Sequence, residues 1–296
     1  VDGLAAALVG NYQEGLDRVV DQLPECEFWK MSGSGNDFVF FDAREKHLDP
    51  LESPAAIRAL CARKTGIGAD GVVFVVADSA HAFGIRYYNR DGSLAELCGN
   101  ASLCAVALAR EWGLFSDSGK VTFGTTSGPV VGRMRQGVPE IELRMPEECT
   151  PEFPEALRNG EWRIGYAKVG VPHLVVFCAD VQLVPVRERG RELRSTAHLP
   201  AGANVNFVSE SGGGWIVRTF ERGVEAETLA CGSGAVATAS MLKAWGLQNM
   251  PVRLRTRSGA FLEVDEVEAQ GQPLALLRGE GRIVFTGRLR ALPIAS

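Results

Sequence analysis

The chain has 296 residues, 46% hydrophobic and 23% charged, an ordinary globular composition with material for one large or two medium domains. A formal net charge of −5 leaves no basic excess to neutralise phosphates, which argues against a nucleic-acid partner, and no apolar run is long enough to span a membrane. The seven cysteines are odd in number in a chain too long to need stapling, and no basic segment with an apolar core opens it, so the expected setting is the reducing cytoplasm.

Leu8, Val9, Tyr12, Leu16, Val19, Val20 and Leu23 fall at helical spacing and predict an amphipathic helical extension over residues 1–27, broken at Pro24. It would pack on the body of the protein or on a second copy, in a homodimer. From Phe28 the pattern is β-like: a Gly/Ser/Asn loop at 32–36, then an apolar strand, Phe38–Phe41, ending at Asp42. A helix is expected over Pro54–Lys64, a tight turn at Gly66–Gly71, and strands at Val72–Val76 and Phe83–Tyr88. The turn Asn89–Ser93 leads to a helix opening at Cys98. Strands at Val121–Phe123, Val130–Met134 and Ile141–Met145 follow, and the Pro/Glu-rich stretch 146–154 reads as a link.

The second half replays this order. Cys231–Leu247 overlays Cys98–Leu114 without a gap, both opening on Cys-Gly and closing on Trp-Gly-Leu. Lys168–Asp180 resembles Lys30–Asp42, residues 217–222 resemble 85–90, and Ser258-Gly259 echoes Ser127-Gly128. An internal duplication of whole domains follows: two β-rich units, one clear helix each, related by a pseudo-two-fold axis, with the pocket between them.

A thiol in the first turn of a helix meets unpaired backbone N–H groups and the positive end of the helix dipole, which favour thiolate and predict a lowered pKa. The glycine after each cysteine admits a ligand close to the backbone, and the following N–H groups suit a carboxylate. Two such helix starts facing each other would set a substrate α-carbon between two sulfurs. One thiolate could remove the α-proton while the opposite thiol delivers another, inverting the centre. Cys26, Cys61, Cys149 and Cys178 are expected to be buried small hydrophobes, and Cys104, inside the first helix, to pack. Only Cys98 and Cys231 occupy equivalent places in both copies. No Cys-x-x-Cys pair or His/Cys cluster suggests a metal, and Gly66-x-Gly68 lacks the setting of a dinucleotide fingerprint.

Several motifs in order, Gly35-Asn36-Asp37-Phe38, Gly66–Gly71, Asn89-x-Asp91-Gly92-Ser93, Cys98-Gly99-Asn100, Pro172-His173, Asn204-Val205-Asn206-Phe207, Glu221-Arg222-Gly223 and Glu227–Gly234, make the chain from Phe28 onward resemble the diaminopimelate epimerases. These belong to a cofactor-independent superfamily with proline racemases and phenazine-biosynthesis isomerases. The resemblance implies an α+β fold of two pseudo-symmetric domains, each a β-barrel-like sheet around a central helix. They would cover residues 28–145 and 146–280, with the final strand, about 281–296, returning to the first. It implies interconversion of LL- and meso-diaminopimelate, a small-molecule substrate, on the route to lysine and peptidoglycan, with no cofactor, no metal and no membrane partner.

Carried over by motif, Cys98 and Cys231 are the acid/base pair, and Gly99, Asn100, Gly232 and Ser233 offer N–H groups to the reacting carboxylate. Asn36, Asn89, Asn204, Glu221 and Arg222 hold the substrate, while His173 and Glu221 tune the thiols. Glu221-Arg222 also fits on chemical grounds, as acceptor and guanidinium fork for a distal ammonium and carboxylate. Two departures stand out: Ala101-Ser102-Leu103 where relatives have Gly-Ala-Arg, expected to narrow the substrate approach or alter the helix start, and Val171 where many have asparagine. The same thiol pair would serve a racemase or epimerase of histidine or hydroxyproline type, and a non-catalytic binding or redox descendant is a third alternative.

Overall fold

The computed structural model describes residues 26–95, 98–269 and 271–290. The expected N-terminal helix lies outside the described residues except for its last two, Cys26 and Glu27, which are strand and not helix.

The first half contains β1 (Cys26–Gly33), β2 (Asn36–Ala43), α1 (Pro54–Cys61), β3 (Gly71–Val76), β4 (Phe83–Asn89), α2 (Gly99–Glu111), β5 (Lys120–Thr125), β6 (Gly128–Arg135) and β7 (Val138–Arg144). The second contains β8 (Glu148–Thr150), β9 (Glu161–Val169), β10 (Val171–Cys178), α3 (Val186–Arg194), β11 (Asn204–Ser211), β12 (Gly214–Glu221), β13 (Ala226–Thr228), α4 (Gly232–Ala244), β14 (Val252–Arg255), β15 (Phe261–Ala269) and β16 (Gln272–Gly279); β17 (Arg282–Leu289) follows.

Strand burial explains the layering. Phe38, Val39, Phe40 and Phe41 are all buried because both faces of β2 are covered: Phe38 and Phe40 face the core around α2, while Val39 and Phe41 pack with Ile57 and Leu60 of α1. The second half repeats the arrangement, with Val175 and Val208 toward the α4 core and Val176, Val205 and Phe207 toward Val186 and Leu193 of α3. Each central helix is apolar on nearly every face, as a helix wrapped by sheet must be.

Following the pairings, β17, β1, β2, β3, β4, β5, β6 and β7 form one continuous run, and β7 then pairs antiparallel with β16. From β16 the run continues through β15, β14, β12, β11, β10 and β9 to β8. The β7–β16 pairing is therefore the seam that joins the two halves within the sheet. At one end of its ladder, opposite Arg278, lies Glu140, with 1% of its side chain exposed, held by Arg133 of β6 and by Arg278 of β16 at 2.6 Å; Arg278 also reaches Glu263 at 2.7 Å. A carboxylate shared by two guanidiniums in a buried seam is costly to neutralise. Glu140→Gln should lower unfolding stability by about 2 kcal/mol, read by urea denaturation. An unchanged midpoint would show the seam to be held by its backbone ladder and apolar contacts alone.

Four sequence expectations are corrected. The first helix ends at Cys61 and not at Lys64, because Ala62 turns to extended geometry (φ −63°, ψ 119°) and the chain crosses the helix end so tightly that a Cβ on Gly66 would lie 1.9 Å from the Ala59 carbonyl. A second helix per half exists: α3, whose Arg/Glu-rich sequence hides a buried stripe of Val186, Arg189, Gly190 and Leu193. Residues 146–154 are not a free link, since β8 pairs with β9 and Lys168 meets Glu147 at 2.7 Å. Cys149, on that short edge strand, is exposed rather than buried.

Candidate active site

The two cysteine segments superpose in detail. Cys98 (φ −128°, ψ 112°) and Cys231 (φ −135°, ψ 116°) both serve as N-cap residues of 13-residue helices. Those helices end at Trp112 and Trp245, each followed by a glycine at positive φ, Gly113 (68°) and Gly246 (71°). Their first turns meet: a Cβ on Gly99 would lie 3.3 Å from Gly232 Cα, and one on Gly232 would lie 3.2 Å from Gly99 Cα, with Leu277 of β16 against both. The glycines thus let two positive helix ends converge, each preceded by a thiol.

The thiol electrostatics correct one expectation. Backbone N–H groups of Asn100 and Ala101 reach the Cys98 sulfur, and those of Gly234 and the Ser233 hydroxyl reach Cys231, with Ser233 Oγ at 3.6 Å. These contacts favour thiolate, yet burial outweighs them. Desolvation pushes Cys98 up to about 11, and burial reinforced by the Glu221 carboxylate pushes Cys231 well above the usual thiol range. By surface both cysteines are only half-buried; the sulfurs nonetheless sit where protein has replaced most of their water.

Glu221 closes β12 and accepts a hydrogen bond from Thr228; burial raises its pKa, while Thr228 and Cys231 act in the opposite sense. Arg222 donates its backbone N–H to Asn204 Oδ1 at 2.8 Å and its guanidinium to the Ala201 carbonyl at 2.9 Å. Asn89 holds the 89–93 turn through Ser93 Oγ at 3.1 Å. In the first half, Asn36 Oδ1 accepts from Asn100 Nδ2 at 2.8 Å, and Asn100 Nδ2 also reaches across to the Ala230 carbonyl at 3.3 Å. Asn36, Asn100, Glu221 and the two thiols therefore belong to one locality.

His173 is fully buried on β10, and desolvation, followed by the nearby Arg222 charge, lowers its pKa to about 3. Asn206 Nδ2 donates to the Leu174 carbonyl (3.1 Å) and faces His173 Nδ1 at 3.2 Å, while Asn206 Oδ1 accepts from Thr219 at 2.9 Å. The carbonyl partner fixes the Asn206 amide, so Nδ1 is the acceptor and Nε2 carries the proton. That Nε2–H is buried without a hydrogen-bond partner among the described residues. A Cβ on Gly234 would lie 2.4 Å from Asn206 Oδ1 and 3.2 Å from the Cys231 sulfur, so Asn206 ties His173 to the Cys231 helix.

Sequence reasoning missed Asn206 and its partner Thr219, although the polar Asn204-Val205-Asn206 in an otherwise apolar strand was the available signal. It also missed Tyr87, the counterpart of Thr219. Tyr87 packs edge-on against Phe38 (5.8 Å) and lines a small crevice of about 10 Å³ with Cys98 and Ala101. The wall behind Cys98 is therefore aromatic where the wall behind Cys231 is amide and hydroxyl. Ala101 does not alter its helix start, since the two caps share their dihedrals. Position 234 needs glycine because Asn206 approaches it; the matching register position in the first half is the apolar Val73, paired with Tyr87 as Asn206 is with Thr219. Leu103 is buried against Gly279 and Gly281, and Val171 opens β10 opposite Val169.

The model of the family Diaminopimelate epimerase matches residues 28–145 and 165–284, one stretch in each half. The chain is 46% identical over 277 residues to a diaminopimelate epimerase of Gemmatimonas aurantiaca, covering 90% of this chain and 99% of that one. It is 39% identical to a diaminopimelate epimerase of Aquifex aeolicus, over 89% and 97% of the two chains. A Bacillus anthracis phenazine biosynthesis protein of the PhzF family shares the fold at a TM-score of 0.69 and 14% identity, covering 90% of this chain and 99% of its own. An Agrobacterium vitis hydroxyproline epimerase shares it at 0.62 and 17%, covering 90% and 91%. With both halves matched and close relatives aligned over nearly their whole length, the chain belongs to the diaminopimelate epimerase family.

Proposed function

We infer that this protein interconverts LL- and meso-2,6-diaminopimelate by proton transfer between its two thiols and the substrate α-carbon. The observation that carries the reading is the meeting of two cysteine-capped helix starts at Gly99 and Gly232. The reacting carboxylate lies on the N–H groups of Gly99, Asn100, Gly232 and Ser233, where two helix dipoles favour negative charge. This places the α-carbon between Cys98 and Cys231. One sulfur, as thiolate, takes the α-proton; the bonding pair moves into the carboxylate, whose growing charge the same N–H groups stabilise. The other thiol then protonates the opposite face.

The raised thiol pKa values suit this chemistry. An α-proton is a weak acid, and a thiolate freed in a dry site is a stronger base than one in water. Glu221 and Arg222, with Asn36, Asn89 and Asn204, hold the substrate's amino and carboxyl groups. His173, neutral at physiological pH, offers its Nε2–H beside the Cys231 helix. Residues 28–145 with the closing strand form one catalytic half and 146–280 the other, working as a homodimer in the reducing cytoplasm.

The test is incubation in D₂O with LL-diaminopimelate beside proline, hydroxyproline and histidine. Deuterium should enter the α-carbon of diaminopimelate together with inversion to the meso form. Exchange into one of the other amino acids, with none into diaminopimelate, would overturn the assignment.

A further inference from the structure

Asp70 lies in the Gly66–Gly71 turn, outside the thiol pair and the groups assigned to substrate. Its Oδ1 accepts from Arg63 at 2.7 Å, and its Oδ2 accepts from Asn36 Nδ2 at 3.2 Å and from the Asp37 backbone N–H at 3.3 Å. Arg63 also grips Asp37 at 2.7 and 3.0 Å, and Lys30 holds Asp37 at 2.6 Å, so the turn is fixed by charge. A carboxylate only accepts, whereas an amide side chain donates at one end and accepts at the other. Asp70 therefore forces Asn36 to present its NH₂ toward the turn and its oxygen the other way.

That oxygen meets Asn100 Nδ2 at 2.8 Å, and the same Nδ2 donates to the Ala230 carbonyl at 3.3 Å. Ala230 is the residue before Cys231. Asn100 Oδ1 is buried and has no hydrogen-bond partner among the described residues, so no protein partner fixes this amide from its oxygen end. We propose that Asp70 is a positioning residue for the reaction. Through the fixed polarity Asp70–Asn36–Asn100–Ala230 it sets the backbone that carries Cys231, so charges in the first half seat the thiol of the second. This rests on the two-thiol reading above.

The relay is tested by reversing and restoring its polarity. Asp70→Asn and Asn36→Asp should each lower kcat by about 10-fold or more, since sub-ångström misplacement of an acid/base group is costly. The exchange variant carrying both substitutions restores the side-chain polarity, at the loss of the 3.3 Å bond from the Asp37 N–H: Asn at 70 donates to Asp at 36, which accepts from Asn100. Its kcat should exceed that of either single variant. If Asp70 serves only to anchor Arg63, the double variant will be worse than both, and the proposal fails.

Asn100→Asp supplies a second reading. A carboxylate there opposes Asn36 Oδ1 and the Ala230 carbonyl until it is protonated, so its kcat relative to wild type should rise as pH falls; a flat ratio counts against the relay. A third readout needs no substrate. The side-chain NH₂ of Asn100, followed by NMR in the free protein, should exchange slowly with solvent in the wild type, quickly in Asp70→Asn, and slowly again in the double variant. This arm decides the relay even if the wild type fails to epimerise diaminopimelate, an outcome that would instead strike the functional reading. Fast exchange in the wild type, or indifference to Asp70→Asn, sinks the proposal.

Discussion

Alanine in place of either Cys98 or Cys231 should reduce epimerisation by about 1,000-fold, within the range expected for loss of a positioned general acid or base. The two variants should fail alike, because inversion needs a base on one face and an acid on the other, and neither thiol can serve both. They should differ in what remains. With one sulfur left, a proton can still be removed from and returned to the single face it addresses. In D₂O, each variant should therefore wash deuterium slowly into one diastereomer without inverting it, and the two variants should choose opposite diastereomers. The glycine contact that joins the helix starts is untouched by these substitutions, so folding should survive, as a thermal melt would verify. Inversion at wild-type rate by either variant would end the two-thiol mechanism.

The second large effect concerns thiol reactivity, and it runs opposite to what a helix N-terminus suggests. Alkylation proceeds through thiolate, and the Cys98 thiol titrates near 11 rather than its ordinary 9.0. At pH 8 it should react about 100-fold more slowly than an unperturbed thiol of equal access, gaining about tenfold per pH unit until pH approaches 11. Cys231, pushed up by burial and by Glu221, should lag further. Exposed Cys149 should label first. Glu221→Gln removes a charge that raises both thiols, so it should speed labelling of Cys98 and Cys231 together. Peptide mapping after brief iodoacetamide treatment gives the order. Cys98 and Cys231 labelling ahead of Cys149 at neutral pH would show that the helix dipoles outweigh burial after all.

That reversal marks where sequence reading reached its limit. The duplication was legible because a Cys-Gly opening and a Trp-Gly-Leu closing are local signals, and the matched cap dihedrals show the same local geometry in both copies. The helix-start argument for the thiols was also local, and it named the right contacts. Desolvation is not local: it depends on how strands from both halves wrap Cys98 and Cys231, and no spacing encodes that. α3 escaped for a related reason. Its Arg/Glu-rich sequence looks solvated until Phe220 of β12 presses against Gly190, where a Cβ would sit 2.5 Å from the Phe220 Cβ and 2.6 Å from its ring. Asn206 and Tyr87 were visible as residues, but their contrast as walls behind the two thiols exists only once the halves are laid side by side.

The closing strand carries a further implication, for biosynthesis. Arg282–Leu289 pairs along almost the whole of Cys26–Gly33, a ladder between the two extremes of the described chain. A ribosome adding residues in order thus makes the first sheet long before its last member exists. Throughout translation one side of Cys26–Gly33 displays unpaired amides and carbonyls, an invitation to stray strands. The second half can assemble while that margin is still bare. The first-made half is accordingly sealed only after the second, and a nascent chain stalled before Arg282 would carry two finished helix starts beside an unfinished sheet.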